Sequence, residues 1–156
     1  MEITKVTTLF PLMQLLPVVQ TISDFYPDVE HWYINKAIPR VLLGEDNVFV
    51  VKNESGEIAG FAIAKKTEKE SKLCCIKIMP DYQSKGYSIA LIKAVQQELG
   101  NDYLHCSVSE DLFHAYSRLF INHFGWSVDD VQKDVYKKGK LEYFFNGKMK
   151  KESDYF

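Results

Sequence analysis

Residues 76–92 read Ile-Lys-Ile-Met-Pro-Asp-Tyr-Gln-Ser-Lys-Gly-Tyr-Ser-Ile-Ala-Leu-Ile. This is an apolar strand pattern, a proline stop, a short polar loop and the opening of an amphipathic helix. A loop that feeds a helix exposes unpaired backbone N–H groups beside the positive end of the helix dipole. Such a place binds anions, and a pyrophosphate suits it. Gly86 lets the backbone approach the phosphates with no side chain between, Lys85 adds a positive charge, and Ser88 adds a hydroxyl. The segment lacks both the GxxxxGK[ST] of a P-loop and the GxGxxG of a dinucleotide fold. On residue types alone the plainer reading, an ordinary strand–loop–helix connection, prevails.

The order of the residues changes that balance. Ile76-x-Ile78-x-Pro80 followed by Gln83-Ser84-Lys85-Gly86-Tyr87-Ser88 resembles the acetyl-CoA loop of the GNAT superfamily of N-acetyltransferases. That signature is Q/R-x-x-G-x-G/A after a strand ending apolar-x-apolar-x-Pro. Phe124-Gly125-Trp126 looks like the Gly-Phe pair that closes the fourth helix of the family. The resemblance spans residues 4–146 and is specific at the loop. It implies an α/β fold, with a mixed, mostly antiparallel sheet of six to seven strands flanked by about four helices. It implies acetyl-CoA as cosubstrate, with backbone amides of Gln83, Ser84, Lys85, Gly86, Tyr87 and Ser88 on the pyrophosphate. Main-chain groups of Ile76 and Ile78 would pair with the pantetheine arm like an added strand. Ser88 departs from the family's Gly or Ala, but is small enough for binding to survive.

Acetylating an amine needs a neutral amine set against the thioester, donors for the developing oxyanion, and an acid for the leaving thiolate. Many members of the family use a tyrosine four residues before the helix-ending glycine as that acid; here the position holds Ile121. Tyr116 lies about 140° away on an α-helix, whereas Ser117 shares the face of Ile121 one turn earlier. Both are candidate acids, each with a plain structural or solvent-facing reading beside it. Glu70, on a strand face with Cys74 and Ile76, is a candidate base; its plainer reading is a solvated member of the charge cluster at 65–72. His105, aligned with Tyr103, Ser107 and Ser109, could deprotonate an amine near neutrality, against the plainer reading of a hydrogen-bonded, half-buried histidine. The missing tyrosine favours catalysis by positioning, with water carrying the proton. Cys75 or Cys106 as an acetyl carrier is disfavoured, since buried thiols are inert.

For the acceptor, residues 24–33 interleave Asp24, Asp28 and Glu30 with Phe25, Tyr26, Trp32 and Tyr33. That reads equally as a pocket for a cationic amine and as helix-packing aromatics beside solvated acids. Glu142, Phe144 and Asn146 are expected on the far wall.

The elements that must position these groups follow from pattern. A short strand over 2–7 precedes a helix with Pro11 in its first turn and a kink at Pro17. A second helix, capped by Asp28, should stop before Pro39. Strands over 47–52 and 57–66 are joined by a turn at Asn53-Glu54-Ser55-Gly56, and a third strand covers 73–79. The helix after the loop repeats Ile89, Ile92, Val95 and Leu99, with Gly100 as its stop. A strand over 103–109, a helix over 111–124 and two strands at 126–136 and 141–145 complete one domain over 1–147. Residues 148–156 form a polar tail.

A chain of 156 residues with 46% hydrophobic and 26% charged residues fits one globular domain and excludes disordered and fibrous classes. No apolar run reaches the ~18 residues of a membrane span, and no signal peptide is evident, so a cytoplasmic protein is expected. Net charge is −2, and arginine is limited to Arg40 and Arg118, which argues against a nucleic-acid surface. Seven lysines between Lys133 and Lys151 read as a solvated face. Three cysteines without CxxC spacing, and four histidines in no zinc pattern, predict no metal. Adjacent Cys74 and Cys75 should point to opposite strand faces.

The expected function is transfer of acetyl from acetyl-CoA to a primary amine on a small molecule or protein, with a homodimer compatible. Two others share the loop. One is a catalytically weak acyl-CoA-binding or sensor module, suggested by the missing tyrosine. The other is a toxin-like enzyme acetylating aminoacyl-tRNA, suggested by the lysine-rich C-terminus and opposed by the net charge.

Overall fold

Both parities of β2 (Asp46–Lys52) are apolar, with Val48 and Val50 on one face and Phe49 and Val51 on the other. A strand of that kind is covered on both sides. The computed structural model describes residues 1–150, and in it β2 is flanked by β1 (Glu2–Val6) and β3 (Ile58–Lys66), with β4 (Ser71–Ile78) beyond β3. All pairs in this sheet are antiparallel. The β2–β3 hairpin closes where the Asn53 N–H donates to Glu57 O at 2.9 Å.

Helical segments α1 (Leu9–Gln14), α2 (Leu16–Gln20), α3 (Val29–Trp32) and α4 (Ile38–Leu42) cover one face. Leu12, Val19, Trp32, Tyr33 and Ile38 pack there on Val48, Val50, Phe61 and Ile63. On the other face α5 (Tyr87–Leu99) sets Leu91, Ile92, Val95 and Leu99 against Val51, Ala62 and Ala64. Burying each such side chain contributes about 1.5–3 kcal/mol. α5 therefore fixes the end of β4 from which the loop departs.

A second antiparallel sheet holds β5 (Cys106–Ser109), β6 (Val128–Lys133) and β7 (Leu141–Phe145), with β7 in the centre. It carries α6 (Glu110–Ser117), which runs on through a wider π-helical turn over Arg118–His123. The fold is thus the expected α/β arrangement of seven strands, divided into sheets of four and three. The sheets meet at a parallel bridge between Lys72 and His105, where Leu73 N–H donates to His105 O at 2.9 Å and His105 N–H to Ser71 O at 2.8 Å. Just past this bridge β4 bulges, because Ala64 pairs with Leu73 and Ile63 with Cys75, leaving Cys74 as the extra residue. A bulge bends its strand and strengthens the local twist, so β4 and β5 splay apart into a V.

Several expectations need correction. The second helix does not stop before Pro39 but continues to Leu42. Residues Tyr33–Ala37 wind as a π-helix ahead of it, and Pro39 falls in the first turn of α4, where its missing N–H removes little. Asp28 makes no side-chain cap. The strand expected over 103–109 starts at Cys106, since residues before it serve the inter-sheet bridge. Cys74 and Cys75 do not take opposite faces, because the bulge breaks the alternation and packs both on the same cluster. The start of the polar tail is tied down: Met149 N–H donates to Asp130 at 3.0 Å and Lys150 lies 3.4 Å from Glu70. The rest of that tail, 151–156, lies outside the described residues.

Candidate active site

The V between β4 and β5 is an open crevice. Its β4 wall runs from Lys72 to Lys77, its β5 wall is Cys106, Ser107 and Val108, and Leu112 and Tyr116 of α6 close one side. Phe25, Tyr26 and Tyr136 stand at the opposite mouth, the two tyrosine rings edge-to-face at 5.2 Å.

At the end of β4 the loop makes a short 3-10 turn, Pro80–Tyr82, and enters α5 through Gly86 at φ 84°. A left-handed φ of that size is strained for residues with a Cβ, which is why glycine stands there. The amides of Tyr87, Ser88 and Ile89, in the first turn, have no acceptor inside the helix and face outward from its positive end. Gln83 folds back, its Nε2 donating to Ile78 O at 3.2 Å. Tyr116 Oη donates to Ile76 O, also at 3.2 Å. Both carbonyls therefore point to the β4 edge away from β3. Since a strand residue's N–H and C=O share an edge, the amides of Ile76 and Ile78 lie there too.

The position of Tyr116 corrects the α-helical phase used above. The chain past Ser117 is π-helical, with Phe124 N–H donating to Leu119 O at 3.2 Å, and rings of i→i−5 bonds bring residues five apart toward one side. Ile121 is 39% exposed, while Tyr116 reaches the crevice. Burial, then the neighbouring Cys75, pushes the Tyr116 hydroxyl up to about 12, so it remains a proton donor across the neutral range. The helix ends in a left-handed cap: Gly125 at φ 71°, its N–H on Ile121 O at 3.1 Å and Trp126 N–H on Phe120 O at 2.8 Å. Phe120 and Trp126 stack across it at 4.8 Å, which fixes the roll of the helix that aims Tyr116.

The profile of the acetyltransferase (GNAT) domain matches residues 20–139. The chain belongs to the GNAT acetyltransferase family. Solved GNAT structures share the architecture at low identity. A protein from Desulfovibrio desulfuricans assigned to the GNAT family has 18% identity and a TM-score of 0.70, over 92% of this chain and 96% of its own. The ribosomal-protein-S18-alanine N-acetyltransferase of Escherichia coli has 20% identity and 0.64, over 99% and 100%. The PaiA N-acetyltransferase of Thermoplasma acidophilum, solved with coenzyme A, has 16% and 0.66, over 93% and 98%. No curated protein matches the chain in sequence.

The other candidates of this GNAT domain scatter. Glu70 precedes β4, its carboxylate held 3.9 Å from Lys65 and 3.4 Å from Lys150. It does not line the crevice, and the full length of β4, about 25 Å, separates it from the loop. His105 is 3% exposed, lies at the closed end under Phe144 (centroids 6.2 Å apart), and does not line the crevice. Ser117 donates back to His114 O at 3.2 Å and also stays outside. Cys74, Cys75 and Cys106 do line it, but burial raises the first thiol to about 11 and the second further, which keeps both protonated. Among the described residues no group of three or more His, Cys, Asp or Glu could hold a metal, and no helix is long and apolar enough to cross a membrane.

In the acceptor segment, Phe25 and Tyr26 reach the crevice while Trp32 and Tyr33 are core, and Asp24, Asp28 and Glu30 are exposed. Behind two lining residues stands the carboxylate of Glu142 of β7, 4% exposed, which accepts from Ser107 Oγ at 2.7 Å and Tyr26 Oη at 3.2 Å. Of the other two expected on that wall, Phe144 is buried against the His105 ring, and Asn146 donates to Leu104 O at 2.7 Å. The readable signal for Glu142 was its parity with Phe144, which makes it an acid on the inward face of a strand.

Proposed function

We propose that this GNAT enzyme transfers the acetyl group of acetyl-CoA to a primary amine, in the crevice between β4 and β5, with Tyr116 as the acid. The observation that carries the reading is the Tyr116 hydroxyl on Ile76 O, at the edge of β4 where an added strand would pair. In this reading the loop amides from Gln83 to Ser88, with Lys85 beside them, hold the pyrophosphate. The pantetheine arm then runs along Ile78 and Ile76, and the thioester comes to lie near Tyr116. Edge amides of β4 donate to the carbonyl oxygen as it becomes an oxyanion. The amine lone pair forms the C–N bond, and the C–S bond breaks. The thiolate takes the Tyr116 proton, which the departing ammonium proton replaces. Overall an ammonium and acetyl-CoA give an amide, CoA thiol and one released proton. The protonated thiols make an acetyl-cysteine intermediate unnecessary.

Tyr116→Phe tests this. It should lower kcat by about 100-fold, the usual worth of a positioned acid, with the KM for acetyl-CoA within about threefold. Unchanged thiol release would contradict the role. A rise in acetyl-CoA KM with kcat intact would make Tyr116 a support of β4 instead.

A further inference from the structure

The crevice is electrically divided. Lys72 and Lys77 border it on the β4 side, Lys72 at the closed end where its charge is felt by Asp46. On the opposite side stands the buried carboxylate of Glu142, behind two hydroxyls that line the opening, Ser107 and Tyr26. Tyr26 is fixed as a donor: its hydroxyl accepts from Ser109 N–H at 3.2 Å, and burial first, then the Glu142 charge, raises its pKa well above 10.0. Ser107 differs, because it donates to Glu142 while its oxygen lone pairs remain able to accept from a group in the crevice. A buried negative charge acts on its surroundings through a low dielectric and favours cations nearby. Tyr26 and Tyr136 add two aromatic rings at the same mouth, which also favour a cation.

We infer that Glu142 is the positioning residue for the acceptor: by its charge and through Ser107 it holds the amine as an ammonium between β5 and the 26/136 tyrosine pair, and it receives through Ser107 the proton that the ammonium must lose. The step balances. An ammonium N–H proton passes to Ser107 Oγ as the Ser107 hydroxyl proton passes to the Glu142 carboxylate, leaving a neutral amine and a neutral acid. The acid returns its proton to water at the crevice mouth after the acetylated product departs. The inference rests on the acetyltransferase reading and adds to it a cationic acceptor and the residue that selects it.

Glu142→Gln keeps the shape and removes the charge. With cadaverine as probe, the KM for the amine should rise about 10- to 100-fold, the worth of a charge-assisted contact. The KM for acetyl-CoA, and the rise in Tm that acetyl-CoA produces, should be unchanged; a variant damaged in its fold would lose both. Ser107→Ala leaves the carboxylate in place, and should raise the cadaverine KM less than Glu142→Gln does while lowering kcat at least about tenfold. A Glu142→Gln cadaverine KM within twofold of wild type, or a parallel rise in acetyl-CoA KM, overturns the subsite. An unchanged kcat in Ser107→Ala overturns the relay. A wild type that binds acetyl-CoA and acetylates no amine overturns the acetyltransferase reading itself, which sets that failure apart from the others.

Discussion

Gly86 offers the sharpest perturbation of the loop. A Cβ there meets nothing within 4 Å, so a larger side chain has room, and the φ of 84° is the sole backbone obstacle. Holding a non-glycine residue in the left-handed region costs about 1–2 kcal/mol. For a domain of this size, that lowers Tm by about 2–8 °C and leaves the fold intact. Gly86→Ala carries this strain alone. Gly86→Asp adds a carboxylate beside the helix N-terminus, about 5 Å from a phosphate seated there. At an effective dielectric of about 20–40 the repulsion is about 2–3 kcal/mol, or about 30- to 150-fold in Kd. Titration calorimetry with acetyl-CoA, run on wild type and both variants, separates the effects. The Ala variant should keep most of the affinity and the Asp variant should lose it, with matching Tm. Equal affinity in the Asp variant and wild type would refute the pyrophosphate assignment.

Two further perturbations test other parts of the account. A Cβ on Gly60 would lie 2.5 Å from Lys77 O and 2.6 Å from Ile78 Cδ1, so Gly60→Ala must push the end of β4. It should cost about 1–3 kcal/mol in thermal or urea unfolding and weaken acetyl-CoA binding; an unchanged Tm would show that β4 yields freely. Asp46, 4% exposed and 3.9 Å from Arg40, has its carboxyl pushed by burial up to about 6 despite that cation. A folded pKa above the unfolded 3.8 stabilises the protein below 3.8, an effect lost as pH rises through about 6. Asp46→Asn, a mimic of the protonated acid, should therefore raise stability at pH 7.5 relative to wild type, by up to about 2–3 kcal/mol, and change little at pH 4. The same ΔΔG at both values would contradict the shift.

How much could be read beforehand depends on how far apart in sequence the cooperating residues lie. The loop from Gln83 to Ser88 and the stops at Gly100 and Gly125 were legible because each is set by neighbours within a few residues. Tyr116 was not: its direction depends on a π turn that exists only once Phe120 and Trp126 stack and Phe124 N–H reaches Leu119 O. An α-helical phase applied to that stretch points the tyrosine away. The Ser107–Glu142 contact joins residues 35 apart and the Tyr26–Glu142 contact residues 116 apart, so the carboxylate behind the crevice lining comes from a different element than the acids adjacent to the aromatics. Glu70 is the converse case: sequence places it on the strand before the loop, but β4 sets it at the opposite end from the loop, where two lysines hold it.

The most direct test of the central claim is a single incubation of the protein with acetyl-CoA and cadaverine, read at once by free thiol and by mass spectrometry of the amine. The account predicts one CoA thiol for each acetylated cadaverine, both dependent on Tyr116. Thiol release without acetylated amine, or acetyl-CoA bound with neither product formed, would contradict it.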